Sequence, residues 1–321
     1  MEEGNLNKEE PLVSILIPAY NHEKYIDDLI DSLLAQTYRN LEIFIADDNS
    51  LDQTYEKILA REPEIKREYP KTYVWHNECN KGITANLNGM LRRCTGKYIK
   101  ILASDDFFVI DAIRSLVTYM EENPNVGLVF GNGIMGDENT HFPVSIEEQS
   151  QMYYEKPINI EDNYLEKLYE GDFILAPGVL FSRKAYEEIG EFDEKLWAED
   201  WDFYLRIAEK MKIAYINKIV VMYRILLTSG SHSADVRNRI GMRKSEIEVL
   251  NKHKPYVEAT LGERLLYERS NVAFKEAFDM RSNLFLSEVN FLMKKYKIKK
   301  TLCNKILYFS YKTILRNILF T

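Results

Sequence analysis

Short β-branched apolar runs alternate with helix-period segments over the first 130 residues, and several of those runs stop at a polar cluster. Leu12 to Ile17 (LVSILI) is closed by Pro18 and reads as a buried strand. Tyr25, Ile26, Leu29, Ile30, Leu33 and Leu34 then recur at helical spacing, with Asp27, Asp28 and Asp31 assigned to the opposite, polar face. The same reasoning predicts strands at 41–46, 73–76, 98–102 and 126–130, and helices at 53–61, 83–93 and 110–121. Parallel strands need a crossover, and a helix is the compact one, so the expected fold class is α/β: a mostly parallel, Rossmann-like sheet flanked by helices. Ligands of such sheets bind beyond the carboxyl ends of the strands. Pro18-Ala19-Tyr20-Asn21, Asp47-Asp48-Asn49-Ser50 and Ser104-Asp105-Asp106 all stand at such ends and should converge on one crevice.

Past residue 135 the pattern loosens, then from Asp235 it becomes almost wholly helical with few glycines. This places a helical C-terminal extension at 234–321 after an α/β domain at 1–233, itself divided near residue 106. The 321 residues carry a net charge of -8, but the last 33 hold eight cations and no acid, so the first 288 sum to -16. An acidic body offers nothing to nucleic acid phosphates, and no nucleic acid partner is expected. Cys79, Cys94 and Cys303 are far apart and odd in number, which argues for reduced thiols. The first ten residues are polar and acidic, unlike a signal peptide, and no apolar run approaches about 18 residues, so a cytoplasmic chain is expected.

Two adjacent carboxylates after a buried strand call for a neutralising cation, and hard oxygen ligands suit a divalent metal on a diphosphate. A solvated helix cap is the plainer reading of Ser104-Asp105-Asp106, weakened by the second pair at Asp47-Asp48. Asp47 and Asp48 would repel phosphate but can accept from a base N–H or a ribose hydroxyl, and Tyr20 offers a stacking face. Glu199-Asp200 opens a helix pattern, where helix capping competes with service as a general base. Gly131 to Gly136 fits GxGxxG, yet no helix pattern follows it, so an irregular loop is expected rather than a dinucleotide site. Of five histidines only His232, in a loop, is singled out as able to reach a metal; the other four are read as surface or loop residues.

In this order the motifs resemble the family-2 glycosyltransferases, inverting sugar-nucleotide-dependent enzymes of GT-A fold. Val13 to Asn21, Ser32 to Tyr38, Glu42 to Ser50, the Asn80-x-Gly82 to Asn88 segment, Gly96 to Ile99 leading to Asp105-Asp106, Gly178 to Arg183, Gly190 to Asp193, Glu199-Asp200 and Tyr223-Arg224 carry the likeness, which covers residues 11 to 233. The resemblance implies that Tyr20 stacks on uracil within the loop Pro18, Ala19, Tyr20 and Asn21, and that Asp48 with Asp47 binds base and ribose. It places Asn80, Gly82, Asn88 and Ser104 in the nucleotide-sugar site, Asp105 at the ribose, and Asp106, joined by His232, on Mn2+ or Mg2+. It makes Asp200 the base and Glu199 the residue that orients the acceptor, and so makes 1–233 the catalytic domain, with a nucleotide-binding half at 11–106 and an acceptor-binding half at 107–233. Three positions depart from the family pattern: Asn49 for a glycine, which a left-handed Asn would accommodate, Asn86 for an arginine, and Ala103 for an aspartate.

The partners so implied are a UDP-linked or other nucleotide-sugar donor and a saccharide acceptor, in an undecaprenyl-diphosphate-linked form if the enzyme builds O-antigen or capsule. Residues 302–320 alternate apolar and basic at helical spacing, with Lys305, Lys312 and Arg316 on one face. That suits a membrane surface, making the chain peripheral on the inner face of the cell membrane; packing on the catalytic domain or on the partner of a homodimer is the alternative. Two other functions compete: a sugar-phosphate nucleotidyltransferase, which would carry a Gly-rich basic phosphate loop that residues 17–25 lack, and a non-catalytic sugar-nucleotide-binding protein.

Overall fold

Val13–Ala19 (β1) and Leu41–Asp47 (β2) are buried along their whole lengths, which is why both read as continuous apolar runs rather than as alternating ones. They belong to a computed structural model that describes residues 10–144, 151–159, 164–226, 236–280, 282–301 and 304–305. Ile26–Leu34 (α1) follows β1, Thr54–Glu68 (α2) follows β2, and Ile83–Leu91 (α3) follows the edge strand Thr72–His76 (β3). Next come Tyr98–Ile101 (β4), the two-residue Phe107–Phe108 (β5), Ala112–Glu122 (α4), Val126–Gly136 (β6), Tyr164–Glu170 (α5), Val179–Ser182 (β7), Arg183–Ile189 (α6), Glu199–Ala208 (α7) and Lys212–Arg224 (β8). Val236–His253 (α8), Ala259–Asp279 (α9) and Asn283–Lys295 (α10) complete the described elements.

Among the described residues eight strands make one sheet in the order β3-β2-β1-β4-β7-β6-β8-β5. β1/β2, β2/β3, β1/β4 and β6/β8 are parallel, while β4/β7, β6/β7 and β5/β8 are antiparallel, so the sheet is mixed. The chain lays β2 and β3 on one side of β1 and returns to put β4 on the other, which makes the carboxyl ends of β1 and β4 the switch point. Ile15, Ile17, Ile43 and Ile45 of the strands and Ile26, Leu29, Ile30 and Leu33 of α1 are fully buried in one core. Each such side chain contributes roughly 1.5–3 kcal/mol of transfer free energy. At the other end of the strands the buried Glu42 accepts from Ser14 Oγ at 2.6 Å, Thr95 Oγ1 at 2.9 Å and Gly96 N at 2.9 Å, pinning the turn that leads into β4.

Packing divides the chain into two units. The first is Met1–Tyr164, Phe173–Glu194 and Arg206–Leu226, and it holds the sheet. The second is Leu165–Asp172, Lys195–Leu205 and Leu227–Thr321. There α8, α9 and α10 bury Ile247, Leu250, Leu266, Phe274, Phe285, Val289 and Leu292 against one another. This grouping is by packing, whereas the division at 233 rests on the sequence pattern.

Several expectations change. α2 runs through Pro63 to Glu68 instead of ending at Arg61, because Ile58 and Ile65, seven apart on one face, are both fully buried and outweigh the lost amide. Asp28 is not on a polar face: it is buried, and its Oδ2 meets Arg224 Nη2 at 2.9 Å. Asp27 and Asp31 do face the polar partners Lys57 and Arg61. The Gly131–Gly136 segment is not a loop but the second half of β6, paired with β8. A Cβ on Gly131 would sit 2.7 Å from Val220 Cγ1 and 2.9 Å from the Lys218 carbonyl oxygen, so these glycines admit a close neighbouring strand. Gly131→Val is therefore expected to destabilise the chain by about 1–3 kcal/mol, read as a fall in Tm of several degrees by calorimetry.

Candidate active site

Strand register assembles the site in the first unit. Ala19 pairs with Asp47 and Asp47 with His76, so the carboxyl ends of β1, β2 and β3 stand in one row. Past β1, Asn21 adopts the left-handed region (φ 54°); past β2, Asn49 does so as well (φ 63°), as expected where a glycine is missing. Asparagine tolerates this better than most residues. The two turns are stitched together: Asn21 N donates to Ser50 Oγ at 2.9 Å, and Leu51 N to Asn21 Oδ1 at 2.8 Å. Tyr20 between them is 40% exposed, while Pro18 and Ala19 are buried in β1.

Asp47 and Asp48 are both buried and both occupied by protein donors. Asp47 accepts from Ser50 N at 3.0 Å, Ser50 Oγ at 2.5 Å and His76 Nδ1 at 2.7 Å. Asp48 accepts from Asn77 Nδ2 at 2.8 Å, Lys81 N at 3.0 Å and Gly82 N at 2.8 Å. Gly82 sits at φ 83°, where a side chain would strain the turn, and its N–H also reaches Asn80 Oδ1 at 3.0 Å. Asn86 spans β2 and the end of β3: its amide donates to the Ala46 carbonyl at 2.9 Å and accepts from Asn77. Asn88 is buried, and both its amide atoms hold the 192–194 loop, through Phe192 N and O and Glu194 Oε1, each at 3.0 Å.

Across the switch point Ser104 is fully buried and its Oγ lies 2.7 Å from His22 Nδ1. His22 Nε2 is 3.8 Å from Asp105 Oδ2. His22 thus ties the β1 loop to the acid pair. The sequence reads it as a plain loop histidine, and its place three residues beyond β1 is the signal that could have found it. Asp106 is 3% exposed and accepts from Arg224 N at 2.8 Å. Arg224 Nη1 donates to the Asp105 carbonyl and Nη2 to the Thr140 carbonyl at 2.6 Å, while the guanidinium lies 4.5 Å from the Tyr25 ring. This buried arginine, fixed by Asp28, sets the backbone of the acid pair from behind. Burial and then the neighbouring Asp105 hold the Asp106 carboxyl well above the usual carboxylate range. Lys100, fully buried on β4, is pushed down to about 7 by burial, with Asp106 opposing the shift. Its Nζ donates to the carbonyls of Ile101 at 2.7 Å and Pro177 at 2.6 Å. His232 lies outside the described residues.

Glu199 and Asp200 open α7 in the second unit. Ser245 Oγ accepts from Trp197 N and Ala198 N at 2.9 Å each, Trp201 Nε1 donates to the Leu168 carbonyl at 2.7 Å, and Trp201 N donates to Asp200 Oδ1 at 2.7 Å. Asp202 and His253, the latter also read as a surface residue, meet at 2.9 Å and are buried. Burial, then the Asp200 charge, lifts Glu199 to about 8, and burial lifts Asp200 above its ordinary value. Each carboxyl is thus held toward its neutral form, and the Asp200 charge weighs further on Glu199. Between the ordinary glutamate range and about 8 the native state holds a proton that the unfolded chain has released, so this group's stabilising contribution is lost as pH rises through that window. Glu199→Gln should therefore flatten the decline, and urea unfolding at pH 6 and 8 should show the variant losing less stability than the wild type.

A family model described as "Glycosyl transferase family 2" matches residues 14–190, more than half of the chain. An uncharacterized glycosyltransferase of Rickettsia prowazekii is 29% identical over 243 residues, which is 75% of this chain and 70% of that protein. Chondroitin synthase of Escherichia coli is 29% identical over 221 residues, 66% of this chain but 29% of the synthase. Among solved structures, S. aureus TarS 1-349 in complex with UDP-GlcNAc is similar with a TM-score of 0.65 at 19% identity, covering 88% of this chain and 80% of TarS 1-349. The mannosyltransferase PcManGT of Pyrobaculum calidifontis, in complex with GDP-Man and Mn2+, gives a TM-score of 0.57 at 18% identity, covering 96% and 81%. At such identities the structural likeness speaks for the fold, a GT-A arrangement of sheet and helices. The chain is a glycosyltransferase and belongs to glycosyl transferase family 2.

Proposed function

We propose that this glycosyltransferase moves a sugar from a UDP-linked donor to a hydroxyl of a saccharide acceptor, with inversion at the anomeric carbon. The observation that carries the reading is the acid pair Asp105-Asp106 at the switch point of the sheet, joined through Ser104 and His22 to the loop that presents Tyr20. Tyr20 stacks on the base, Asn80 and Gly82 form the turn beside it, and Asp105 reaches the ribose. Asp48 and Asp47 shape the base pocket from beneath.

The donor set suits a hard divalent cation. Two adjacent carboxylates, one of them buried, supply oxygen ligands, and among the described residues no cluster of three or more His, Cys, Asp or Glu makes a closed cage. Mn2+ and Mg2+ bind well through one or two carboxylates plus substrate phosphates. Asp106 would hold the ion, with His232 proposed as a further ligand, and when bound it neutralises charge gathering on the departing diphosphate. Asp200 takes the proton of the acceptor hydroxyl as that oxygen bonds to the anomeric carbon from the face opposite the phosphate. The bond from that carbon to the phosphate oxygen breaks with its electron pair, and the nucleoside diphosphate leaves. Glu199, still protonated at neutral pH, can donate a hydrogen bond that orients the acceptor.

The acceptor we propose is a growing surface glycan of the O-antigen or capsule kind, carried on a lipid diphosphate and met at the inner face of the cell membrane. The basic end of the chain supports this, although 302–303 and 306–321 lie outside the described residues. Among the described residues no helix is long and apolar enough to cross a membrane. Loss of co-sedimentation with anionic vesicles when 302–321 are removed is the expected result; unchanged binding rejects the membrane contact. The transferase reading is tested by incubating the purified chain with Mn2+ and a panel of UDP-, GDP- and CDP-sugars. Metal-dependent release of UDP is expected, and release of no nucleoside diphosphate from any sugar ends it.

A further inference from the structure

Glu199 and Asp200 open α7 on a backbone that α7 does not hold by itself. Asp200 Oδ1 accepts the Trp201 N–H at 2.7 Å, and the Ala198 carbonyl accepts the Asp202 N–H at 3.2 Å. The two peptide N–H groups just before the helix, those of Trp197 and Ala198, go instead to one atom of α8, Ser245 Oγ, at 2.9 Å each. A hydroxyl oxygen has two lone pairs, and these bonds use both. Ser245 is 3% exposed, so water has little access to replace it. α8 meets the same segment at two further points. A Cβ on Gly241 would stand 2.5 Å from Trp197 Cε2, so the indole lies against the bare backbone of α8. Lys252 Nζ and His253 Nε2 reach Oδ1 of the buried Asp202 at 2.7 and 2.9 Å. Gly241, Ser245 and Lys252 follow one another at intervals of four and seven residues, which places them on one face of α8.

These contacts bracket the acid pair, at 197–198 before it and at 202 after it, and all of them lie within the second unit. Resting on the proposed role of Asp200 as the base, we infer that Ser245 is a positioning residue for the transfer: from α8 it fixes peptides 197–198, and with them the start of α7 from which Asp200 meets the acceptor hydroxyl. Gly241 serves the same end by giving the Trp197 ring its seat. A reacting group displaced by about 1 Å can lose roughly 10²-fold in rate with its own chemistry intact. α8 thus contributes to catalysis without touching substrate.

The test follows release of UDP from UDP-sugars by the full chain in Mn2+, with water as the acceptor, beside calorimetric titration with UDP. Ser245→Ala should lower kcat roughly 10–10²-fold and leave UDP affinity within about twofold of wild type. Ser245→Thr, which keeps the hydroxyl, should recover most of the rate. Gly241→Ala leaves Ser245 in place but displaces the indole, and it should lower kcat in the same way, so a folding defect in Ser245→Ala does not end the test. Because Ser245 acts through Asp200, adding Ser245→Ala to Asp200→Asn should change kcat by no more than about twofold, whereas a merely structural loss would multiply. Wild-type kcat in folded Ser245→Ala, or a fully multiplicative loss in the double variant, overturns the inference. UDP release that falls in Asp200→Asn but not in Ser245→Ala sinks the role of Ser245 alone. Wild-type rates in Asp200→Asn, or release of UDP from no sugar, sink the base or transferase reading itself and this inference with it.

Discussion

Asp200→Asn should lower kcat about 10²–10⁴-fold while leaving the affinity for the nucleoside diphosphate within about twofold of wild type, the span expected when a general base is removed and binding is not. The substitution is close to isosteric. Asn Oδ1 can still accept from Trp201 N, the 2.7 Å contact that anchors Asp200 at the start of α7, so α7 should keep its start. What disappears is the site for the acceptor proton. The acid side of the wild-type pH profile should also lie above the range of an exposed aspartate. Burial favours the neutral form, a neutral carboxyl cannot act as a base, and activity therefore falls while the pH is still above the ordinary aspartate pKa. Steady-state kinetics on both proteins from pH 5 to 8 would show this. Full activity in Asp200→Asn would move the base to another residue.

Much of the sheet was legible because burial on both faces writes strands as unbroken apolar runs. The runs ending at Ala19 and Asp47 and the acid pair after β4 came out at nearly their observed positions. The misses share a physical cause: long-range partners that spacing cannot show. Asp28 looks like a polar-face residue because its buried partner, Arg224, lies 196 positions away. The glycines of β6 look like a loop because the strand they admit, β8, begins more than seventy residues later. His22 and His76 looked isolated for the same reason, since Ser104 and Asp47 reach them only after the sheet has formed. At the candidate site, residue types pointed to the chemistry, but which atoms remain free to meet a ligand came only from the folded hydrogen bonds. Asp47 and Asp48 illustrate this: only the folded structure shows that each of their carboxylate oxygens already accepts from the protein.

Asp106→Asn should reduce kcat/KM about 10²–10³-fold and abolish the gain in UDP affinity that Mn2+ confers on the wild type, because a cation on a diphosphate offsets several kcal/mol of developing charge. The variant is a clean one. Arg224 N donates to Asp106 Oδ1 at 2.8 Å, and an amide oxygen accepts that bond as a carboxylate does. Burial and Asp105 already disfavour the charged form, so removing the charge adds no burden to the fold, and Tm should stay within a few degrees. Arg224 would be a poorer probe of the same site. Its guanidinium pairs with the buried Asp28 and donates to the carbonyls of Asp105 and Thr140. Arg224→Met would strip the buried Asp28 of its arginine and leave it only the His141 ring and the Phe142 N–H, a loss on the order of 3–5 kcal/mol that would mask any change in metal binding. Titrating UDP into wild type and Asp106→Asn, each with Mn2+ and with EDTA, isolates the carboxylate. If the variant still gains affinity from Mn2+ as the wild type does, Asp106 is not the ligand that holds the ion.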